Sequence, residues 1–330
     1  MNISIIIPYW KREKQIDLIF SSLAKQVPKN IEVEVLICDS NSGGDIDKII
    51  YRAQCRYKNL SIKHIQCENI VSQKRNIGIR NAAGDLLIFL DDDCVPNANY
   101  FDNIFSDLKF VNGGVLCGEV RFPEYLVNAS NYYRYRDSKH PTFISYPYKS
   151  LDQWSFVSMN MVVKRDDFVN SQLFYDERFI GYGCEDHEFP WRLLKSNLKI
   201  HMGSFCIEHH EYDGDITKYK RKIFCTARDG MYVLANIAPD IIKSHNNLEF
   251  IESIYSNKKL FPTLMRTISI FLFNDYISNV IEIFLKKTDK NPKMYFPKMY
   301  KYVLLCSYLS GVRSRDEKFK KIDLGQGWYG

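Results

Sequence analysis

Over its first 120 residues the chain alternates short, mostly apolar runs with stretches of helical spacing, and this alternation restricts the fold more than any other feature. The strand-like runs lie at residues 3–7, 33–38 and 85–90, and 61–66 is a further plausible strand. Between them, residues 11–26 place Ile16, Ile19, Phe20 and Leu23 on one helix face, and residues 46–57 and 71–82 also suit helices. A strand that is apolar on both faces must be covered on both, which favours a parallel sheet between helices. Further helices are expected at 97–110 and 186–195, and further extended runs at 114–122, 154–163 and 199–207. The fold class expected is therefore α/β, a Rossmann-like, mostly parallel sheet flanked by helices. A mostly helical C-terminal extension follows it.

The apolar share of 45% and charged share of 25% are those of a folded globule. Net charge is only +6, which favours anionic small molecules or an anionic membrane surface and gives no reason to expect nucleic acid. Nine cysteines show no Cys-x-x-Cys spacing, so reduced thiols of a cytoplasmic protein are expected rather than a disulfide framework or a zinc site. Residues 1–10, cut by Pro8, read as a first strand and not as a signal peptide. No crossing helix is expected: the nearest candidate, 268–285, is interrupted by Asn274, Asp275, Asn279 and Glu282. Residues 122–153, rich in Tyr, Pro and Arg, read as a long irregular loop of the kind used as a lid. The charged residues after 312 read as a loose tail.

In a parallel sheet, ligands bind beyond the carboxyl ends of the strands. Pro8, Asp39 and Asp91 fall at such ends. Asp91-Asp92-Asp93 offers an oxygen-rich site for a hard divalent cation and a nucleotide diphosphate. Side chains alternate along a strand, so Asp91 and Asp93 share a side. The competing role, an N-cap for the helix from Asn97, needs only one carboxylate. Asp39 suits a base or ribose hydrogen bond, or a turn. Lys74 and Arg75 offer cations to a diphosphate, or form a solvated helix face. Gly181-Tyr182-Gly183-Cys184-Glu185-Asp186 is a flexible entry to a helix. Its carboxylates suit a general base, or the acidic first turn of any helix. In Glu208-His209-His210-Glu211 a strand-end imidazole, His209 by preference over His210, would complete a metal shell; the alternative is a surface pair.

Taken in order, Ile5-Ile6-Ile7-Pro8-Tyr9, Cys38-Asp39-Ser40, Lys74-Arg75-Asn76-Ile77-Gly78 and Gly84 through Asp93 resemble family 2 glycosyltransferases with the GT-A fold. Phe179 through Phe189 resembles the acceptor-side motif of galactosyltransferase-like and chondroitin-polymerase-like members. The resemblance covers roughly residues 1–212. It implies a GT-A catalytic domain at 1–214, with a nucleotide-binding half at 1–120 and an acceptor-binding half at 121–214, and a helical extension at 215–330. It implies an enzyme of the hexosyltransferase type. This enzyme would be metal-dependent and inverting, using Mn2+ or Mg2+ and a nucleotide-sugar donor, expected to be UDP-linked. Pro8, Tyr9 and Asp39 would lie at the nucleoside, Asp39 at the uracil, and Arg75 at the base or diphosphate. Asp93 and His209 would hold the metal, with Asp91 nearer ribose or metal and Asp92 among the donor-binding residues. Trp154 and Asn160 would shape the sugar pocket. Asp186 would be the catalytic base, with Glu185 contacting acceptor or donor sugar.

The family's usual Gly-Trp-Gly-Gly-Glu-Asp is altered here by Tyr182 and Cys184, so the indole platform is weaker or comes from Trp154. The acceptor implied is a glycan or lipid-linked glycan of bacterial surface polysaccharide synthesis. The expected place is the cytoplasm, with a peripheral contact at the inner face of the membrane through the helical third, where Lys286-Lys287 and Lys298 to Lys301 lie beside Phe and Tyr. Two other classes compete. A sugar-nucleotide nucleotidyltransferase would carry a Gly-rich basic signature after the first strand, but residues 8–13 lack glycine. A non-catalytic membrane or partner-binding module would not need both acidic clusters.

Overall fold

A computed structural model describes residues 1–40, 45–111, 113–145, 148–170, 172–256 and 259–315. The tail expected after 312 lies outside the described residues from 316 onward. The strands are β1 (Ile3–Tyr9), β2 (Val33–Asp39), β3 (Ser61–Gln66), β4 (Leu86–Leu90), β5 (Cys94–Pro96), β6 (Val115–Arg121), β7 (Asn160–Lys164) and β8 (Ile200–His209). They form one sheet in the order β3-β2-β1-β4-β7-β6-β8-β5. The β3-β2-β1-β4 block is parallel. β7 runs antiparallel to β4 and β6, β8 parallel to β6, and β5 antiparallel to β8. All seven residues of β1 and all five of β4 are buried, as their largely apolar sequences require, with Ser4 of β1 bonded to Glu34. On the helix Glu13–Ala24 the buried residues are Ile16, Ile19, Phe20 and Leu23, the face read from the sequence. The helix Val71–Asn81 packs on β1 and β2. That packing needs Gly78, where an added Cβ would collide with Ile6.

Three elements depart from the sequence reading. The helix placed at 97–110 spans Tyr100–Phe110, because Cys94–Pro96 pairs with β8 and Asn99 takes a left-handed φ of 62°. The acidic triplet therefore caps no helix there. The strand placed at 154–163 begins at Asn160, since Trp154 and Ser155 donate their N–H groups to Asp152 Oδ1 in a turn. Within 122–153, residues Glu124–Ala129 and Asn131–Asp137 are helical rather than irregular.

The backbone divides into two compact units. The first comprises 1–123, 139–177 and 189–212 and holds the whole sheet. The second comprises 124–138, 178–188 and the chain from 213 onward, and its regular elements among the described residues are helices. Within the second, Asp289 accepts from Ser130 Oγ (2.7 Å) and Tyr132 N (2.8 Å). Asn131 Nδ2 donates to the carbonyls of Thr288 and Asn291. Tyr135 stacks on Tyr300 at 4.8 Å, and Arg136 lies over the Tyr219 ring at 4.1 Å. These long-range bonds order a segment whose own sequence carries no clean period.

By length and apolar content alone, the stretch Leu260–Thr288 reaches what a membrane crossing needs. Its backbone breaks at Phe273 and Asn274 into the helices Leu260–Leu272 and Asp275–Thr288.

Candidate functional site

The parallel block brings the carboxyl ends of β1, β2 and β4 to one edge, with Tyr9 in register with Asp39. Beyond β4 the three aspartates part company. Asp91 is partly exposed, and its Oδ1 takes a 3.2 Å bond from Arg75, whose guanidinium also lies over the Tyr175 ring at 5.1 Å. Asp92 is buried; it accepts from Trp10 N at 2.7 Å and Arg12 Nη1 at 2.9 Å. Burial pushes its carboxyl up to about 7, against the pull of Arg12. Asp93, also buried, pairs with Arg12, and its Oδ2 lies 3.1 Å from His209 Nε2.

The pairing of β5 with β8 sets Cys94 opposite His209, and so delivers an imidazole to a carboxylate 116 residues earlier. His209 packs on the Phe122 ring at 4.9 Å. His210 turns elsewhere: its ring bonds Glu208 at 3.1 Å and the Tyr212 hydroxyl, while its backbone N–H donates to Asp93 O at 2.7 Å.

Asp39 is fully buried, with His64 Nε2 3.7 Å from its Oδ2 and its carbonyl accepting from Cys67 N at 2.8 Å. Lys74 lies on no solvated face. Its ammonium donates to Tyr9 O at 2.7 Å and Asn69 Oδ1 at 3.0 Å, and burial lowers it to about 8. Asn160 is fully buried, accepting from Tyr100 Oη at 2.7 Å and donating to Glu119 O at 2.8 Å. Trp154 is partly exposed in its turn.

In the second unit, Gly183 (φ 85°) and Cys184 (φ 75°) are both left-handed just ahead of Glu185 and Asp186. The chain then enters the helix Glu185–Lys195, where the N–H groups of His187 and Glu188 donate to Cys184 O. The glycine segment lies against a π-helical turn, Thr226–Gly230. A Cβ at Gly230 would collide with the Gly183 carbonyl, and one at Gly183 would meet Thr226 Oγ1 at 2.9 Å. Such turns are frequent at functional sites. Beneath it, Arg228 and Asp229 form a buried two-point ion pair at 2.7 Å. Glu185 is buried and Asp186 partly exposed.

The first unit thus gathers Tyr9, Asp39, Arg75, Asp91, Asp92, Asp93 and His209, and the second holds Glu185 and Asp186. Sequence reasoning missed Arg12, which joins Asp92 to Asp93; its one signal was a basic residue just after the first strand.

Among the described residues no three His, Cys, Asp or Glu side chains form a metal cage. Yet the donor set suits a divalent cation. A carboxylate oxygen and an imidazole nitrogen converge at Asp93 and His209, the donor types a hard divalent cation takes alongside water and phosphate oxygens. Arg12 reaches the same Asp93 Oδ2 that faces His209 Nε2, so a bound cation would have to displace that contact.

Residues 4–169, half of the chain, match the family model described as glycosyl transferase family 2. The chain is 24% identical over 227 residues to the chondroitin synthase of Pasteurella multocida, a match covering 59% of this chain and 23% of that one. It spans less than half the length of the curated relatives it matches. Among solved structures it resembles a mannosyltransferase of Pyrobaculum calidifontis in complex with GDP-Man and Mn2+, with TM-score 0.56 and 13% identity over 94% of this chain and 86% of that one. It also resembles residues 1–349 of TarS from S. aureus in complex with UDP, with TM-score 0.50 and 16% identity over 98% and 94%. These likenesses show a GT-A fold.

Proposed function

Because this chain belongs to glycosyl transferase family 2, we propose that it moves a sugar from a nucleotide donor, UDP-linked by preference, to an acceptor hydroxyl with inversion. The observation that carries this reading is the convergence of Asp93 and His209 at the carboxyl edge of the parallel block. UDP bound in a structural neighbour supports the donor class. The catalytic portion is assigned to 1–214 and the helical extension to 215–330.

Pro8, Tyr9 and Asp39 are assigned to the nucleoside, and Arg75 and Asp91 to the ribose and diphosphate. Asp93 and His209 would hold Mn2+ or Mg2+. Bound there, the ion would neutralise charge growing on the leaving diphosphate. Arg12 holds Asp92 and Asp93 in place and keeps a positive charge beside both. Asp186 would take the acceptor hydroxyl proton as that oxygen attacks the anomeric carbon, and Glu185 would orient a sugar. Trp154 is the aromatic candidate for sugar stacking. A glycan or lipid-linked glycan of bacterial surface polysaccharide synthesis is the proposed acceptor, which would bring this cytoplasmic protein to the inner face of the membrane.

A thermal-shift panel of UDP-sugars and GDP-Man with Mn2+ tests the donor assignment. Stabilisation by at least one UDP-sugar and by UDP is expected. Stabilisation by GDP-Man alone would refute the UDP preference.

A further inference from the structure

The second unit carries an exposed apolar surface outside the residues assigned to transfer. On the helix Leu260–Leu272, the side chains of Leu260, Phe261, Leu264, Ile268, Phe271 and Leu272 recur at three- and four-residue spacing and are 41–87% exposed. A globular helix ordinarily turns such a stripe inward; here no residue of the helix is buried. On the helix Asp275–Thr288, Tyr276, Ile277, Val280 and Ile283 make a second apolar face, 41–79% exposed. Its other side is fixed, because Glu282 bonds Thr217 and accepts from Lys220 Nζ at 2.9 Å. The apolar side therefore cannot roll inward without breaking an ion pair.

We propose that these two helices lie in the plane of an anionic lipid bilayer, with their apolar faces at the acyl boundary. Charge selects this occupant. Residues 259–301 hold eight basic side chains against three acidic, a net of +5. Lys287 lies four residues after Ile283 and seven after Val280, so its exposed ammonium sits at the end of the apolar stripe and reaches toward headgroups. Exposed Lys290, Lys293 and Lys298 follow. A second copy on the same face would set +5 against +5, whereas anionic lipid complements it.

Neither helix alone is long enough for a crossing. At about 1.5 Å per residue the first helix is roughly 20 Å long, short of the ~30 Å hydrocarbon core. Asn274 is extended (ψ 154°) and caps the second helix by accepting from Ile277 N at 2.9 Å, and Tyr302 Oη donates to Leu272 O at 2.7 Å at the break. The break is thus bonded in place. This deepens the membrane-side placement above, and its readout is lipid binding, so either idea can fail alone.

The test is sedimentation of the full chain with phosphatidylcholine vesicles, with and without phosphatidylglycerol, at low and high salt. Phe261→Ser/Phe271→Ser and Lys287→Glu/Lys290→Glu change only exposed positions. Wild type should pellet with anionic vesicles and release with salt. Each double variant should bind roughly tenfold or more weakly, from lost apolar burial or lost charge. Both should keep the stabilisation by UDP and Mn2+ that wild type shows, which checks the fold separately. Absence of vesicle binding, equal binding by the variants, or a concentration-dependent dimer that the variants dissolve would each overturn the proposal.

Discussion

Replacing His209 by Ala separates a metal ligand from a packing residue, and His210→Ala is its control. His209 is 7% exposed and its ring packs on Phe122 at 4.9 Å, so truncation leaves a cavity and should cost roughly 2 kcal/mol of stability. It leaves no bare buried charge, because Arg12 still faces Asp93. If the ring is one of two protein donors to the cation, its loss should also weaken Mn2+-dependent UDP binding at least tenfold, or about 1.4 kcal/mol. His210→Ala removes only bonds to Glu208 and Tyr212 and keeps the backbone N–H that Asp93 accepts. The assay is calorimetric titration of UDP with and without Mn2+, at a temperature where every variant is folded. Wild type and His210→Ala should bind more tightly with Mn2+, and His209→Ala should lose that gain while keeping its metal-free affinity. A full Mn2+ gain in His209→Ala would refute the ligand assignment, because general destabilisation cannot change the ratio of two affinities measured on folded protein.

Asp186→Asn should retain UDP-sugar binding and lose roughly two to four decades of turnover, the span for loss of a general base; wild-type turnover would remove Asp186 from the chemistry. Gly230→Ala should force the Tyr182–Gly183 segment to shift and lower turnover with little change in UDP affinity; unchanged turnover would mean the π-helical turn does not position Glu185 and Asp186. Lys74 is held at about 8 against an ordinary 10.5, so between those values the unfolded chain binds more protons and stability rises with pH. That rise is worth up to about 3 kcal/mol. Lys74→Met should lose it, and urea unfolding of both proteins at pH 7.5 and pH 9.5 reads the difference; identical pH slopes would refute the burial argument.

The parallel block was legible because β1, β2 and β4 are apolar on both faces, and only a sheet covered on both sides buries such runs. The strand ends followed, and with them Asp39 and Asp91 through Asp93. The Asp93–His209 contact was legible only as two strand ends, since β5, three residues long and ending in Pro96, gives almost no period from which to infer its pairing with β8. Arg12 escaped notice because residues 8–13 invite a search for a phosphate-binding glycine, and they bind a carboxylate instead. The helices at 124–137 escaped because what orders them, Asp289 and Tyr300, lies more than 150 residues away along the chain. Lys74 looked like a surface charge because a buried lysine announces itself only through its partners, here a carbonyl on β1.

The most direct measurement is release of UDP from the UDP-sugar that the panel selects, followed with Mn2+, with excess chelator, and in Asp93→Asn. The account predicts slow release with Mn2+ that chelator abolishes and added Mn2+ restores, and loss of release in Asp93→Asn. Undiminished release in chelator, or from Asp93→Asn, would contradict it.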